Sequence, residues 1–221
     1  MVAALPLHFQ PPVRRSATRR AAAGVEPVGG DLRFPIHGVS WAQYVALNDA
    51  LGERSGVRVC YCEGTLELMS PGLLHEDKKT TIARLLELYA LAHDLPLYGA
   101  GSMTYRKKPK ERGAEPDECY YLGKATQRNP PHLAIEVAVS RSAIDKLSLY
   151  AGLGVLELWI WRDDRIDVFH LGAKGYRRAT RSKLLPDLDI EELSAFVRRN
   201  DQVAAARAYW KKLQKKPNRT R

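Results

Sequence analysis

The chain has 221 residues, enough for one domain with flanking segments, and 45% of them are hydrophobic, an ordinary fraction for a globular core. It contains no apolar run of about 18 residues, which excludes a membrane-spanning helix. Its three cysteines form no CxxC pair, so a disulfide framework or a cysteine zinc site is not expected. The expected compartment is the cytoplasm, and the formal net charge of +10 favours an anionic partner.

The positive charge is concentrated at the two ends of the chain. Eleven of the 35 basic residues lie before residue 21 or after residue 206, and the rest of the chain holds 24 basic and 25 acidic residues. The basic ends could attract phosphates without sequence specificity, or they could only aid solubility. We therefore divide the chain into a basic arm (1–30) expected to be disordered, a folded domain (31–200) and a basic C-terminal helix or tail (201–221).

The first half of the domain combines short strands with two helices. Ser40 is a good N-cap and predicts a short helix directly after it. Alternating apolar residues on either side of Glu63-Gly64 predict a hairpin over 57–62 and 65–69. Apolar residues at helical spacing predict a long helix over about 75–93, and a strand is expected over 97–105.

A nearly continuous apolar segment is the main feature of the second half. Residues 132–139 are interrupted only by Glu136, a pattern that predicts a central strand buried on both faces. A strand at 117–122 precedes it, after a basic loop (106–112) that could contact phosphates or simply be solvated. The elements expected after it are a helix opened by a capping box at 142–145, a hairpin of strands 155–161 and 166–171, and a closing helix from about Ile190.

The candidate site is built around Glu136. A carboxylate inside an apolar strand is costly to bury without a partner, by several kcal/mol. Asp117, 19 positions earlier, begins the preceding strand, so the two carboxylates could offer hard oxygen ligands to Mg²⁺. Lys146 falls in the first turn of the next helix and can point back toward the strand ends, and Glu76 at the start of the long helix could complete an acidic pocket.

The order of these residues resembles the PD-(D/E)XK nuclease superfamily: Glu76 on a helix, Pro116-Asp117, then Glu136 on an apolar strand. Four segments resemble more closely the Uma-type putative restriction endonuclease family, over about residues 39–193. These are EGTLELMSPGLLHE, EPDECYYL, LAIEVAVSRSAIDKLSLYAGLGVLELWIW and LLPDLDIEEL. The superfamily lysine would stand two residues after Glu136, where this chain has Ala138; in the resembled family a lysine on the following helix takes its place, and Lys146 matches that position.

The resemblance implies an α/β fold with a restriction-endonuclease-like core, a mixed central sheet with the long helix on one face and the later helix on the other. It also implies hydrolysis of DNA phosphodiester bonds that depends on Mg²⁺ or Mn²⁺. Asp117 and Glu136 would hold the metal, Lys146 would orient the nucleophile or stabilise charge, and Glu76 would bind metal or water. Because cutting both strands usually needs two active sites, a homodimer is expected.

Each site residue also has a structural alternative. Asp117 could be a turn acid beside Pro116, and Glu136 could form an ion pair with Lys146 that serves only the fold. Lys146 could be a surface lysine, and Glu76 could only complement the helix dipole. His75 fits a capping or packing role better than a ligand role. Two further functions therefore stay open: a nuclease fold that binds DNA with weak or lost cleavage, and an accessory interaction module.

Overall fold

The computed structural model describes residues 30–52, 56–123, 130–198 and 201–215, so most of the basic arm and the last six residues lie outside the described part. The described helices are α1 (Trp41–Leu51), α2 (Leu73–Ala92), α3 (Lys146–Leu153), α4 (Ile190–Val197) and α5 (Gln202–Leu213), with a 3₁₀ turn at Lys108–Lys110. The described strands are β1 (Leu32–His37), β2 (Arg58–Cys62), β3 (Thr65–Ser70), β4 (Leu97–Gly99), β5 (Tyr105–Lys107), β6 (Arg112–Ala114), β7 (Glu118–Leu122), β8 (Leu133–Val137), β9 (Glu157–Arg162), β10 (Arg165–Gly172) and β11 (Gly175–Ala179). None of the described helices is long and apolar enough to cross a membrane.

Strand β8 lies inside a mixed six-stranded sheet with the order β11-β10-β9-β8-β7-β4. It runs antiparallel to β7 and parallel to β9, and α3 provides the crossover between the parallel pair. All five residues of β8 are buried. The prediction that Glu136 lies on a central strand, between the strands that follow Asp117 and Val155, is therefore confirmed, as is the α/β class.

A second, five-stranded sheet was not expected from the sequence. Its order is β1-β3-β2-β6-β5 and every neighbouring pair is antiparallel. The predicted β2–β3 hairpin forms its centre, with Cys62 opposite Thr65 across the turn. Strand β1 extends the hairpin as an edge strand, which brings residues from the very start of the described chain next to the candidate site.

The two faces of β8 contact different helices. Leu133, Ile135 and Val137 pack in a core cluster with α2, whereas Ala134 packs in a second cluster with α3. Since side chains alternate across a strand, Glu136 is on the α3 side together with Ala134. This confirms that the long helix and the later helix cover opposite faces, and it aims Glu136 at Lys146.

Both shorter predicted helix starts can be compared with observed caps. Ser40 caps α1 as predicted, and Gln43 completes the capping box. The predicted start of α3 at Ser142 is wrong, because Asp145 is the N-cap and accepts a hydrogen bond from the N–H of Leu147 at 3.0 Å. Ser142 instead donates to the buried carboxylate of Glu67 at 2.8 Å, which keeps its hydroxyl away from a helix terminus.

Other boundaries differ where a turn or a long-range contact overrides the local pattern. The strand predicted over 97–105 is in fact two strands in different sheets, β4 and β5, because the chain turns at Gly101 with a φ of +56°. Strand β11 was missed. The closing helix is two helices, and Asp201 caps the second one. Tyr209 and Leu213 of α5 are buried in the main core, so residues 202–213 belong to the fold and are not a dispensable tail.

Candidate active site

Glu136 is 4% exposed and has two partners on α3. Its Oε2 lies 3.0 Å from Nζ of Lys146, and its Oε1 accepts a hydrogen bond from the hydroxyl of Tyr150. Lys146 and Tyr150 are four positions apart on the helix and therefore share one face. The ion pair that was one structural alternative for Glu136 is thus present, and Lys146 is 13% exposed rather than a surface lysine.

Lys146 is held in its charged form. Burial alone would lower the pKa of its amine, but the acceptors around it, Cys60 and Glu136 first, raise that pKa above the ordinary lysine value. The amine also donates to Sγ of Cys60 at 3.3 Å. Burial and the adjacent Glu136 carboxylate raise the pKa of Tyr150 well above its usual value, so its phenol stays protonated and donates. Lys146 can therefore stabilise negative charge but is a poor base at neutral pH.

Asp117 lies directly before β7 and is 1% exposed. Its Oδ2 accepts a 2.7 Å hydrogen bond from the N–H of Val137, and its Oδ1 lies 2.9 Å from Nε2 of His75 and 3.4 Å from a terminal nitrogen of Arg58. Burial alone would raise the pKa of Asp117, but His75 and then Arg58 lower it overall. The ladder pairs Glu118 with Ile135, so the next position places Asp117 beside Glu136.

His75 joins two carboxylates and is completely buried. Its Nδ1 lies 3.2 Å from Oδ1 of Asp31, and its Nε2 contacts Asp117. Burial alone would lower the pKa of the imidazole, but hydrogen bonds and charge from Asp117 and Asp31 raise it to about 9. The raised pKa favours the imidazolium form of His75 at neutral pH. The side chain is packed in the interior, as one of the two expected roles required, but it caps no helix end, because the N-cap of α2 is Gly72.

Glu76 is connected to Asp117 only through a third residue. Its Oε1 lies 3.3 Å from Arg58, which also contacts Asp117, and its Oε2 lies 3.1 Å from Lys79. Its side chain is 38% exposed. The structure therefore brings Asp117, Glu136 and Lys146 together and leaves Glu76 at the periphery.

Glu67, which is buried at the same site, was not predicted from the sequence. Its carboxylate receives Arg33 at 2.8 Å, the hydroxyl of Ser142 at 2.8 Å and the N–H of Ala143 at 2.7 Å. Arg33 also contacts Asp31 at 3.2 Å. Because Glu67 stands between two leucines of an alternating strand, the pattern is typical of a solvent-facing residue, and only the pairing with β1 shows otherwise.

A cavity of about 280 Å³ opens beside the Glu136–Lys146 pair. Arg33 and Arg162 also line it, with Ser140 and Ser142. Asp117 is not among its lining residues, although the β7–β8 ladder places it beside Glu136. An anionic group that enters the cavity therefore meets three basic side chains and two carboxylates, those of Glu136 and Asp145.

The donor set has the chemistry that Mg²⁺ prefers, because Mg²⁺ binds through one or two carboxylates and fills its remaining positions with water and phosphate oxygens. Among the described residues there is no group of three or more His, Cys, Asp or Glu side chains arranged for a metal. The predicted pair, Asp117 and Glu136, is therefore the donor set to consider. Each of its four oxygens already has a cationic or hydrogen-bonding partner, so a bound ion would share or replace those contacts.

Comparison with known proteins identifies one family, whose match covers the four predicted site residues. The family model Uma2, described as "putative restriction endonuclease", matches residues 41–204. The chain belongs to the Uma2 family. The matched range contains Glu76, Asp117, Glu136 and Lys146, whereas Asp31 and Arg33 precede it. No curated protein sequence is significantly similar to the chain.

Proposed function

We propose that this Uma2 protein is an endonuclease that hydrolyses DNA phosphodiester bonds with Mg²⁺ or Mn²⁺. The observation that carries the proposal is the contact between Lys146 and Glu136 in the lining of a cavity that also holds two arginines, with Asp117 directly before the neighbouring strand β7. Perturbed titratable groups gathered at a cavity are typical of functional sites. The family match supports the same class of activity.

In this proposal Asp117 and Glu136 would hold the ion, which when bound supplies Lewis-acid activation of phosphate and water. His75 and Arg58 keep Asp117 ionised and fix its orientation. Tyr150 fixes the carboxylate of Glu136 by donating to Oε1. Lys146, protonated and partly exposed to the cavity, places positive charge where the phosphorane-like transition state develops negative charge. Glu76 acts only indirectly, through Arg58.

The decisive experiment is cleavage of supercoiled and linear DNA with Mg²⁺, Mn²⁺ or EDTA. We expect nicking or cutting with either metal, loss of activity in Asp117→Asn, and loss in Lys146→Gln, which keeps a donor for Glu136 but removes the charge. Lys211→Ala, an exposed lysine on α5, is the control and should cut like the wild type. Cleavage that persists in Asp117→Asn or Lys146→Gln would contradict the proposed mechanism.

One observation favours the second candidate, a DNA-binding protein without cleavage. The acidic and basic groups of the site form ion pairs with one another without a metal ion: Asp117 pairs with His75 and Arg58, and Glu136 pairs with Lys146. A protein of this kind would bind DNA equally well with EDTA and would take up no Mn²⁺ in a calorimetric titration. Metal uptake by the wild type but not by Asp117→Asn would exclude it.

A homodimer would supply the two active sites needed to cut both strands. Edge strand β1 exposes Leu32, Phe34 and Ile36 by 46, 59 and 45%, and these alternate residues form one apolar row. Such a row on a sheet edge is a surface that a second copy can cover. The cytoplasm is the compartment that fits this function and the three free cysteines.

A further inference from the structure

A second cavity, of about 800 Å³, lies between the β10–β11 hairpin and the start of α4. Its charged lining residues are Arg165, Asp167, Arg178, Arg181 and Glu191, and His170 also lines it. The three arginines outnumber the two acids, and one of those acids is engaged in holding the arginines. None of these residues has a part in the mechanism above.

Asp167 organises this cavity. It is 1% exposed, and its carboxylate contacts three arginines: Arg162 at 2.8 Å, Arg165 at 3.4 Å, and Arg178. The three arginine side chains are themselves 46, 49 and 57% exposed. One buried carboxylate thus fixes three half-exposed guanidinium groups, and the group of four side chains keeps two positive charges in excess.

The guanidinium groups retain capacity for another anion. Arg162 and Arg165 contact Asp167 through Nε rather than through their terminal nitrogens. Among the described residues neither has a second ion pair. A guanidinium presents five N–H donors in a planar fork that matches the oxygens of a phosphate, whereas the contact to Asp167 uses one of them. The arginines are therefore positioned by Asp167 without being saturated by it.

The second cavity is connected to the candidate active site. Glu136, Ile160 and Asp167 lie opposite one another on the neighbouring strands β8, β9 and β10. Two strand spacings correspond to about 10 Å. Arg162 lines the cavity of Glu136 and Lys146 and also contacts Asp167. A row of basic side chains therefore leads from Lys146 through Arg162 to Arg165 and Arg178.

We propose that this row, Arg162, Arg165 and Arg178 fixed by Asp167, binds the phosphate backbone of the DNA on one side of the phosphate that enters the active-site cavity. The inference rests on the proposed function in taking that DNA to be the substrate. Contacts to phosphates position a strand without reading its sequence, so this surface sets affinity and register rather than sequence preference. The competing interpretation is that the Asp167 cluster only ties β9, β10 and β11 together.

The chain contains a matched control for this proposal. Arg177 and Arg178 are neighbours on β11 and both are exposed, but successive residues of a strand point to opposite faces, and only Arg178 lines the cavity. Each alanine variant removes the same charge from the same strand. Any difference in DNA binding between Arg178→Ala and Arg177→Ala therefore reports on the cavity and not on net charge.

The experiment measures binding of the full chain to a fluorescent mixed-sequence DNA duplex by anisotropy, in EDTA and over a range of salt concentrations. We expect Arg178→Ala to weaken binding several-fold and to lower the slope of log K against log salt by about one, as for a lost phosphate contact. Arg177→Ala should leave the slope unchanged. Arg178→Lys, which keeps the charge but not the fork, should give an intermediate affinity, and it remains informative if the alanine variant is poorly folded.

Equal binding by Arg178→Ala and Arg177→Ala, or no binding of DNA by the wild type, would overturn the inference. Cleavage assays separate this failure from failure of the proposed function. If cleavage requires Lys146 but Arg178→Ala and Arg177→Ala behave alike, the nuclease proposal stands and the proposed phosphate contact of the arginine row is wrong. If binding depends on Arg178 but no metal supports cleavage, the phosphate contact stands and the nuclease proposal is wrong.

Discussion

Nζ of Lys146 lies 3.0 Å from Oε2 of Glu136, although one residue opens helix α3 and the other lies inside strand β8. The crossover from β8 through α3 to β9 carries the helix back over the sheet face that holds Glu136. A lysine two residues after Glu136 would occupy the position of Ala138, so here the helix supplies the amine from a different backbone origin. The same contact is central to stability and to the proposed chemistry.

Replacing Lys146 should destabilise the protein even without metal. Among the described residues, Lys146→Ala leaves the buried carboxylate of Glu136 with only Tyr150 as a partner, and breaking a buried pair costs about 3–5 kcal/mol. Because Lys146 is partly exposed, we expect the free energy of unfolding, measured in urea, to fall by about 3 kcal/mol, the lower end of that range. Lys211→Ala should change the free energy of unfolding by less than about 0.5 kcal/mol. A small loss in Lys146→Ala would show that the pair adds little to stability.

Asp117→Asn should reduce both metal binding and stability. If repulsion between the two carboxylates were the main effect, this variant would be as stable as the wild type or slightly more stable. However, Asp117 forms ion pairs with His75 and Arg58, and losing them should lower the stability. We expect a lower melting temperature in EDTA. Excess Mn²⁺ should raise the melting temperature of the wild type and leave that of Asp117→Asn unchanged. A shift of equal size in both proteins would show that Asp117 is not a ligand.

The buried imidazolium of His75 predicts a loss of stability at alkaline pH. The pKa of His75 is raised from an ordinary value of 6.5 to about 9 in the folded protein. A raised pKa means that the stabilisation is fully present below pH 6.5 and disappears as the pH rises through 9. A difference of this size corresponds to at most about 3 kcal/mol.

Urea unfolding at several pH values between 6 and 10 tests this. The wild type should lose stability across the window, and His75→Gln should be less stable at pH 6 but nearly independent of pH. His37→Gln, at an exposed position, should behave like the wild type. A wild-type stability that is flat from pH 6 to 10 would contradict the imidazolium assignment.

The two basic ends of the chain should respond differently to deletion. Removing residues 207–221 would delete Tyr209 and Leu213, which are buried in the main core. We expect this truncation to lower the free energy of unfolding by several kcal/mol. Removing only 1–25 and 216–221 deletes seven basic residues and no buried described residue. This second truncation should keep the melting temperature and flatten the salt dependence of DNA binding.

The exposed apolar residues of strand β1 predict where two copies of the chain associate. Phe34→Lys places a charge in the exposed apolar row of Leu32, Phe34 and Ile36 and should shift a dimer to monomer in sedimentation velocity. Leu91→Lys, at a position on α2 that is 71% exposed, is the control and should leave the oligomeric state unchanged. If the wild type is a monomer at all concentrations, the proposed homodimer is wrong.

The sequence by itself determined the elements whose signals are local. The β2–β3 hairpin, the long helix α2, the cap at Ser40 and the buried strand around Glu136 follow from periodicity, turn residues and capping, each of which acts over a few positions. Because a carboxylate inside an apolar strand is costly to bury without a partner, the sequence alone also indicated that Glu136 has partners and suggested Asp117 and Lys146.

Only the tertiary structure decided which polar groups meet. Asp31 reaches His75 and Glu67 reaches Arg33 because β1 pairs with β3 in one particular register, which joins residues 28 to 38 positions apart. Strand periodicity identifies an exposed or buried face, but not what covers that face, so the alternation around Glu67 gave no sign of Arg33 and the helix start at His75 gave no sign of Asp31. The energy of a buried ion pair depends on the distance between side chains from different strands and helices, and local sequence signals carry no information about that distance.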